Sequence, residues 1–251
     1  MYRNYIFDLY GTLIDIHTNE NKPSLWKKLT ELYACYGAVY SWRELKRTYF
    51  ALVKEEEAAL RQTGVAFPEI DLAGVFLRLL TEAKTRCGGC AIPDRDAWVQ
   101  MIGYTFRVLS RERFGLYPHT LSTLGRLRKS GSRIWLLSNA QTIFTVPELS
   151  VTGLTPYFDD VFISSGHGIK KPQPDYLRVL METHGMKPEE TVMVGNEIAS
   201  DMKIADACGI AGIYLNTGAL SSEEILAQCR EQGIRPRHMR VILSGDIGEI
   251  L

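Results

Sequence analysis

From about Arg111 onward, short apolar runs alternate with amphipathic helical stretches, and one further run, Tyr5-Ile6-Phe7, stands apart ahead of a long helical block. The later runs are Arg133–Leu137, Val161–Ile163, Thr191–Val194, Gly212–Leu215 and a last one near Arg240–Leu243. Between them lie helical patterns: Leu121, Leu124 and Leu127 ended by Gly131; Pro174 to about His184; a stretch through Ile204, Ala205 and Ala207 stopped at Gly209; and one from Ser222. Strands that alternate with helices of this length build a parallel sheet with helices on its faces. The expected fold is therefore α/β, a doubly wound, Rossmann-like parallel sheet.

The helical block has four stripes. Ser24 is placed to cap a helix through about Tyr36, with Leu25, Leu29, Leu32 and Tyr33 on one face. Ser41 opens a second, with Leu45, Tyr49, Leu52 and Val53 apolar and Lys54-Glu55-Glu56-Glu57 on a solvated face. Leu72, Val75, Phe76, Leu79 and Leu80 make a third, and after Pro93 come Trp98, Met101, Ile102, Thr105 and Phe106. These stripes predict a small antiparallel α-helical bundle inserted after the first strand. The expected organisation is a core of residues 1–16 and 111–251 with a bundle of 17–110 set over the strand ends as a cap.

Charge narrows the partners. Lys plus Arg and Asp plus Glu both number 29, so no net field draws the chain to nucleic acid or an anionic membrane, and any anion site must be local. No apolar run reaches the length of a membrane span, and no basic segment with an apolar stretch and cleavage site opens the sequence. Five cysteines, an odd number without regular spacing, suit reduced thiols, so a cytoplasmic location is expected. Cys87-Gly88-Gly89-Cys90 reads as an ordinary loop, since a structural zinc needs four ligands and no second pair lies near in sequence.

Chemistry-bearing residues follow the strands. The first run leads into Asp8-Leu9-Tyr10-Gly11-Thr12, the second into Ser138-Asn139, the third into a loop with Lys170-Lys171-Pro172, and the fourth into Gly195-Asn196-Glu197, with Asp201 early in the next helix. In a doubly wound sheet these positions converge on one rim, where such sheets bind ligands. Taken singly, Asp8 reads equally as a turn or cap residue, Lys171 as a solvated charge and Asp201 as a first-turn carboxylate. His17, His167, Arg43 and Arg47 read as candidates for substrate contact or as surface residues.

In this order, with a helical block in the expected place, the chain resembles the haloacid dehalogenase superfamily. The resemblance implies Asp8 as nucleophile, Ser138 as the hydroxyl that holds the transferred group, and Lys171 as the cation that offsets charge. Thr12 and Asn139 are implied at the substrate. A carboxylate nucleophile held in line with an electrophile forms an ester or acyl phosphate that water then cleaves. A phosphatase reading calls for Mg²⁺, because two unit charges about 4 Å apart repel by about 4 kcal/mol at an effective dielectric near 20 and one lysine compensates only part of that. The resemblance supplies Asp8, the Tyr10 carbonyl, Asn196 and Asp201 for the metal, with Glu197 nearby.

Two positions depart from the phosphatase pattern. Tyr10 stands where a second Asp usually serves as proton donor, and Asn196 stands at the first acidic position of the fourth motif. Asp-x-Tyr-Gly-Thr looks like the loop of metal-independent 2-haloacid dehalogenases, whereas Ile198 and Leu177 depart from the Asn and Tyr of that group, with Tyr176 adjacent. The reading is a hydrolase of small phosphorylated, anionic metabolites. The alternatives are a metal-independent 2-haloacid dehalogenase and a ligand-binding relative with a degenerate site.

Overall fold

The computed structural model describes residues 1–235 and 239–251. β1 (Asn4–Phe7) lies inside a six-stranded sheet with β6 (Arg133–Ser138) and β7 (Asp160–Ile163) on one side, and β8 (Thr191–Gly195), β9 (Ala211–Leu215) and β10 (Met239–Ile242) on the other. Every pairing is parallel, with Ile6 opposite Trp135 and Met193. From β1 the chain builds outward through β6 and β7, then returns to β8 and builds the other way. The direction of winding reverses beside β1, which is where a crevice opens at the carboxyl ends of the strands.

Alternation along β1 divides the core. Tyr5 and Phe7 enter one apolar cluster with Leu124, Leu127, Leu149 and Ile247. Ile6 enters the opposite one with Trp135, Leu177, Leu180, Ile204 and Ile225. The first face is covered by α5 (Thr120–Lys129) and α6 (Thr142–Val151), the second by α7 (Pro174–Thr183), α8 (Lys203–Ala207) and α9 (Ser222–Gln232). A sheet buried on both faces reads as continuous apolar runs, and that is why the strands were visible in sequence.

The four helices of the inserted block are α1 (Pro23–Cys35), α2 (Trp42–Gln62), α3 (Leu72–Thr81) and α4 (Arg95–Ser110), with a short antiparallel pair, β3 (Ala38–Val39) and β4 (Thr85–Arg86), between them. Side chains of Ser41, Asp71 and Asp94 accept from backbone N–H groups of α2, α3 and α4 and so set where these begin. Ser24 does not cap α1. Pro23 occupies the first helical turn, where its fixed φ and missing N–H are no cost, and Lys22 stands at the cap without a side-chain bond. Met101 and Leu121, both counted as core positions by periodicity, are exposed.

Sequence patterning misses three features. α6 carries Pro147 in its middle, which breaks the signal for a helix. β2 (Ile14–Thr18) and β5 (Arg111–Leu116) pair antiparallel into a two-stranded ribbon at the two crossings between sheet and bundle. A π-helical turn, Ile198–Met202, precedes α8 and holds Asp201.

The bundle's own core is aromatic. Phe106 of α4 meets Trp26, Tyr49 and Phe76 at centroid distances of 5.8, 5.4 and 5.3 Å, and stacks on Phe144 of α6 at 6.0 Å. Phe144 and Ile143 thus carry the bundle's cluster onto the sheet's own helix. Gly103 allows this approach, since a Cβ there would meet the Ile143 side chain. Phe106→Ala is expected to lower unfolding free energy by about 3–5 kcal/mol in urea titration. Val108→Ala, at a position 54% exposed, is expected within about 0.5 kcal/mol of the parent.

Candidate active site

Asp8 is the first residue beyond β1, and its N–H donates to the Val194 carbonyl of β8 at 2.9 Å. The chain then turns tightly. N–H groups of Leu13 and Ile14 donate back to the Leu9 carbonyl at 2.8 and 2.9 Å, and Gly11 takes a φ of 82°. A Cβ at Gly11 would also collide with the Asn196 amide, so glycine serves both the left-handed turn and the close packing of the two loops.

Lys171 organises the charges. Its ammonium donates to Asp8 Oδ1 at 2.6 Å, Asp201 Oδ1 at 2.7 Å and the Leu137 carbonyl at 2.8 Å, so all three N–H bonds are used. Burial works against the charge, but Asp201 and Asp8 outweigh it and hold the ammonium above the ordinary lysine range. Asn139 fixes the lysine backbone from both sides, donating to the Lys171 carbonyl at 3.0 Å and accepting from its N–H at 2.8 Å.

Asp201 has no free oxygen. Oδ1 accepts from Lys171, and Oδ2 accepts from the Glu197 N–H at 3.0 Å. Burial and the nearby Asp8 push its carboxyl above the usual carboxylate range, with Lys171 pulling the other way. Gly195 makes room, because a Cβ at that position would overlap the Asp201 carboxylate. Ser138, wholly buried, donates to Asp8 Oδ1 at 3.4 Å. The Tyr176 hydroxyl reaches the Ser138 carbonyl at 3.2 Å, while Leu177 lies in the apolar core.

The remaining Asp8 oxygen and the Asn196 amide oxygen both meet the Thr12 hydroxyl. Thr12 Oγ1 lies 3.2 Å from both Asp8 Oδ2 and Asn196 Oδ1, which places a carboxylate oxygen and an amide oxygen around a common point. Among the described residues no group of three His, Cys, Asp or Glu side chains is arranged to hold a metal. Mg²⁺ keeps several waters and takes one or two carboxylates with carbonyl and substrate oxygens. In chemistry the donor set suits such a site: one carboxylate (Asp8), one amide oxygen (Asn196) and one backbone carbonyl (Tyr10). Glu197 is exposed, and its side chain accepts from Ser200 at 2.7 Å.

Tyr10 turns toward α6 and α4. Its hydroxyl donates to Glu148 Oε2 at 2.5 Å and contacts Thr145 at 3.1 Å, while Arg107 pairs with Glu148 at 2.8 Å and lies 5.1 Å from the Tyr10 ring centroid. Burial, then the negative charge of Glu148, raise the phenol well above its ordinary value. It is therefore no proton donor at neutral pH. Glu148 carried no sequence signal because Pro147 hides the helix on which it sits, and Arg107, on the predicted α4, has no spacing that ties it to the loop.

The other candidates lie elsewhere. His17 is exposed and faces Glu112 at 3.3 Å, and His167 stacks on Phe162 at 4.6 Å. Arg43 lies over Trp42, Arg47 is exposed, and Cys87 and Cys90 are exposed with N–H groups bonded to the carbonyls of Gly37 and Cys35.

A segment of the bundle closes over this rim. Phe67 and Glu69 bond to the loop before Lys171, with Pro68 opposite Ile169, and Gln141 donates to Glu69 and Ile70 while accepting from the Leu72 N–H. Between bundle and rim lies a cavity of about 380 Å³ that includes Tyr10 and Asn139. A larger one of about 530 Å³ opens at the opposite ends of the strands, against Tyr2, Tyr5 and Met239.

The model of the haloacid dehalogenase-like hydrolase family matches residues 2–209. The chain belongs to this family. It is 33% identical over 238 residues to a phosphoglycolate phosphatase of Shigella boydii serotype 4, covering 89% of this chain and 84% of that one. A glyceraldehyde 3-phosphate phosphatase of Methanocaldococcus jannaschii is 32% identical over 108 residues (43% of this chain, 47% of the relative), and a phosphoserine phosphatase of Thermus thermophilus 32% over 147 residues (58% and 57%). Over these two matches the chain spans about half the length of the relative. A crystallised 2-haloacid dehalogenase of Pseudomonas syringae pv. Tomato DC3000 shares the fold, with a TM-score of 0.60 at 22% identity over 88% of this chain and 89% of that one.

In this family member, removing the lysine ammonium would leave two buried carboxylates facing each other. Lys171→Ala is expected to cost about 3–5 kcal/mol of stability at pH 7. The deficit should narrow as pH falls, because protonation of Asp201, whose carboxyl burial already raises, removes the repulsion. Chemical denaturation at two pH values checks both the size and the sign.

Proposed function

We propose that the protein is a phosphatase of small phosphorylated metabolites that works through Asp8, with residues 17–110 as a cap over a core of 1–16 and 111–251. The observation that supports it most is the Asp8 carboxylate, held through Oδ1 by Lys171 at 2.6 Å while Oδ2, among the described residues, carries only the Thr12 contact at 3.2 Å. Lys171 fixes the orientation of the carboxylate, so that one oxygen can face the electrophile while the other faces a metal.

An Asp8 oxygen attacks phosphorus, the bond to the substrate's alcohol oxygen breaks, and an aspartyl phosphate forms. Water then attacks phosphorus, releasing phosphate and restoring the carboxylate. Lys171 and Ser138 offset charge on the transferred group, and Thr12 keeps the nucleophile's outer oxygen oriented. Asn139 acts as a positioning residue for Lys171, and Asp201 anchors the lysine from behind. Asp8, Asn196 and the Tyr10 carbonyl would hold Mg²⁺, which offsets the phosphate charge when bound. The bond between Tyr10 and Glu148 leaves the alcohol oxygen without a donor from this loop, so substrates with stable leaving groups are favoured.

No described helix is long and apolar enough to cross a membrane.

Phosphate release measured on an aryl phosphate, with and without Mg²⁺, beside chloride release from 2-chloropropionate, tests the reading. Mg²⁺-dependent phosphate release that is lost in Asp8→Asn is expected. Unchanged phosphatase activity in that variant, or chloride release alone, would sink it. Restoring a carboxylate through Asn196→Asp is expected to lower the half-saturating Mg²⁺ concentration about tenfold, since a second carboxylate strengthens a hard-cation site.

A further inference from the structure

We propose that the cavity between bundle and rim receives a cationic leaving group, and that the substrates are phosphate monoesters of amine- or ammonium-bearing alcohols. This deepens the phosphatase reading and rests on it. The cavity touches the reaction loops at Tyr10, two residues beyond Asp8, and at Asn139, next to Ser138. A group esterified to a phosphate at Asp8 has this space before it. A volume of about 380 Å³ suits a small organic moiety.

Its walls match a cation. Tyr49, Phe50 and Phe144 present rings, and aromatic faces attract ammonium groups. Three carboxylates share the lining: Glu20, Glu57 and Glu69. Glu69 already has Lys170 at 3.6 Å and hydrogen bonds from Ser164 and Gln141. The Glu20 and Glu57 side chains have no hydrogen-bond or ion-pair partner among the described residues.

The lining cation is already committed. Arg107 donates to Glu148 at 2.8 and 3.1 Å, and its guanidinium lies near the rings of Tyr10 and Phe144 at 5.1 and 5.2 Å. Burial raises the Glu20 carboxyl, with Arg107 only pulling it back, which is the condition of a charge short of a partner. A cationic guest supplies that partner. A substrate bearing a carboxylate here would instead meet Glu20 and Glu57 with the same sign. A positive charge near the ester oxygen also eases the negative charge left on it, which suits a site where Tyr10 gives no proton.

The test compares kcat/KM for O-phosphocholine and O-phosphoethanolamine with that for phosphoglycolate, using 4-nitrophenyl phosphate as the uncharged reference. The cationic esters are expected to exceed phosphoglycolate by at least about tenfold. The ratio of phosphocholine to 4-nitrophenyl phosphate should fall about tenfold in the shape-conserving double variant Glu20→Gln, Glu57→Gln. Equal or better use of phosphoglycolate, or an unchanged ratio in the variant, overturns the proposal while leaving the phosphatase reading intact. Absence of phosphate release from every ester overturns the phosphatase reading instead. Titration calorimetry with choline and with glycolate then decides the cavity's preference by itself: choline binding lost in the double variant upholds it, and no choline binding, or tighter glycolate binding, contradicts it.

Discussion

The ammonium of Lys171, shared between Asp8 and Asp201, is the contact on which the rest of the rim depends. Two carboxylates and a lysine removed from water are costly to bury, and only complete pairing makes the arrangement tolerable. Here pairing is complete on the lysine side, with three N–H bonds and three acceptors. Each acceptor comes from a different strand end: Asp8 follows β1, Leu137 belongs to β6, and Asp201 follows β8. The lysine thus ties together the three central strands at the point where the direction of winding reverses. It also explains two glycines and an asparagine: Gly195 vacates space for Asp201, Gly11 for Asn196, and Asn139 grips the lysine backbone.

Much of this was legible in sequence because its physical causes are local. Strands buried on both faces appear as apolar runs, and Ser41, with Glu44 three residues on, announces a helix start. The meeting of Asp8, Ser138, Lys171 and Asp201 at one rim follows from strand order alone, and in the structure these four do meet. What escaped depends on contacts between distant segments. Pro147 hid α6, and with it Glu148, which decides where the Tyr10 hydroxyl points. The short ribbon of β2 and β5 has no central-strand pattern, since one of its faces is wet. That both Asp201 oxygens are occupied could not be read from spacing, because one bond comes from a backbone N–H created by the π-helical turn.

Tyr10 links the two halves of the functional account. Its substitution for a carboxylate leaves the reaction loop without a proton donor, and its ring becomes part of the wall between rim and bundle. The same Arg107 that stacks near this ring is spent on Glu148, so two carboxylates of the cavity beyond, Glu20 and Glu57, are left without a partner among the described residues. Loss of an acid and preference for a positively charged leaving group are then two consequences of one buried network. The bundle's aromatic core and the segment at residues 67–72 hold that wall in place against the lysine loop.

The central claim is that one oxygen of Asp8 bonds to phosphorus during turnover. Acid-quenched mass spectrometry during steady-state hydrolysis of an aryl phosphate reads this directly. A phosphoryl adduct is expected on the peptide containing Asp8, absent from Asp8→Asn. Phosphate release with no adduct on that peptide, at a rate that survives Asp8→Asn, would contradict it.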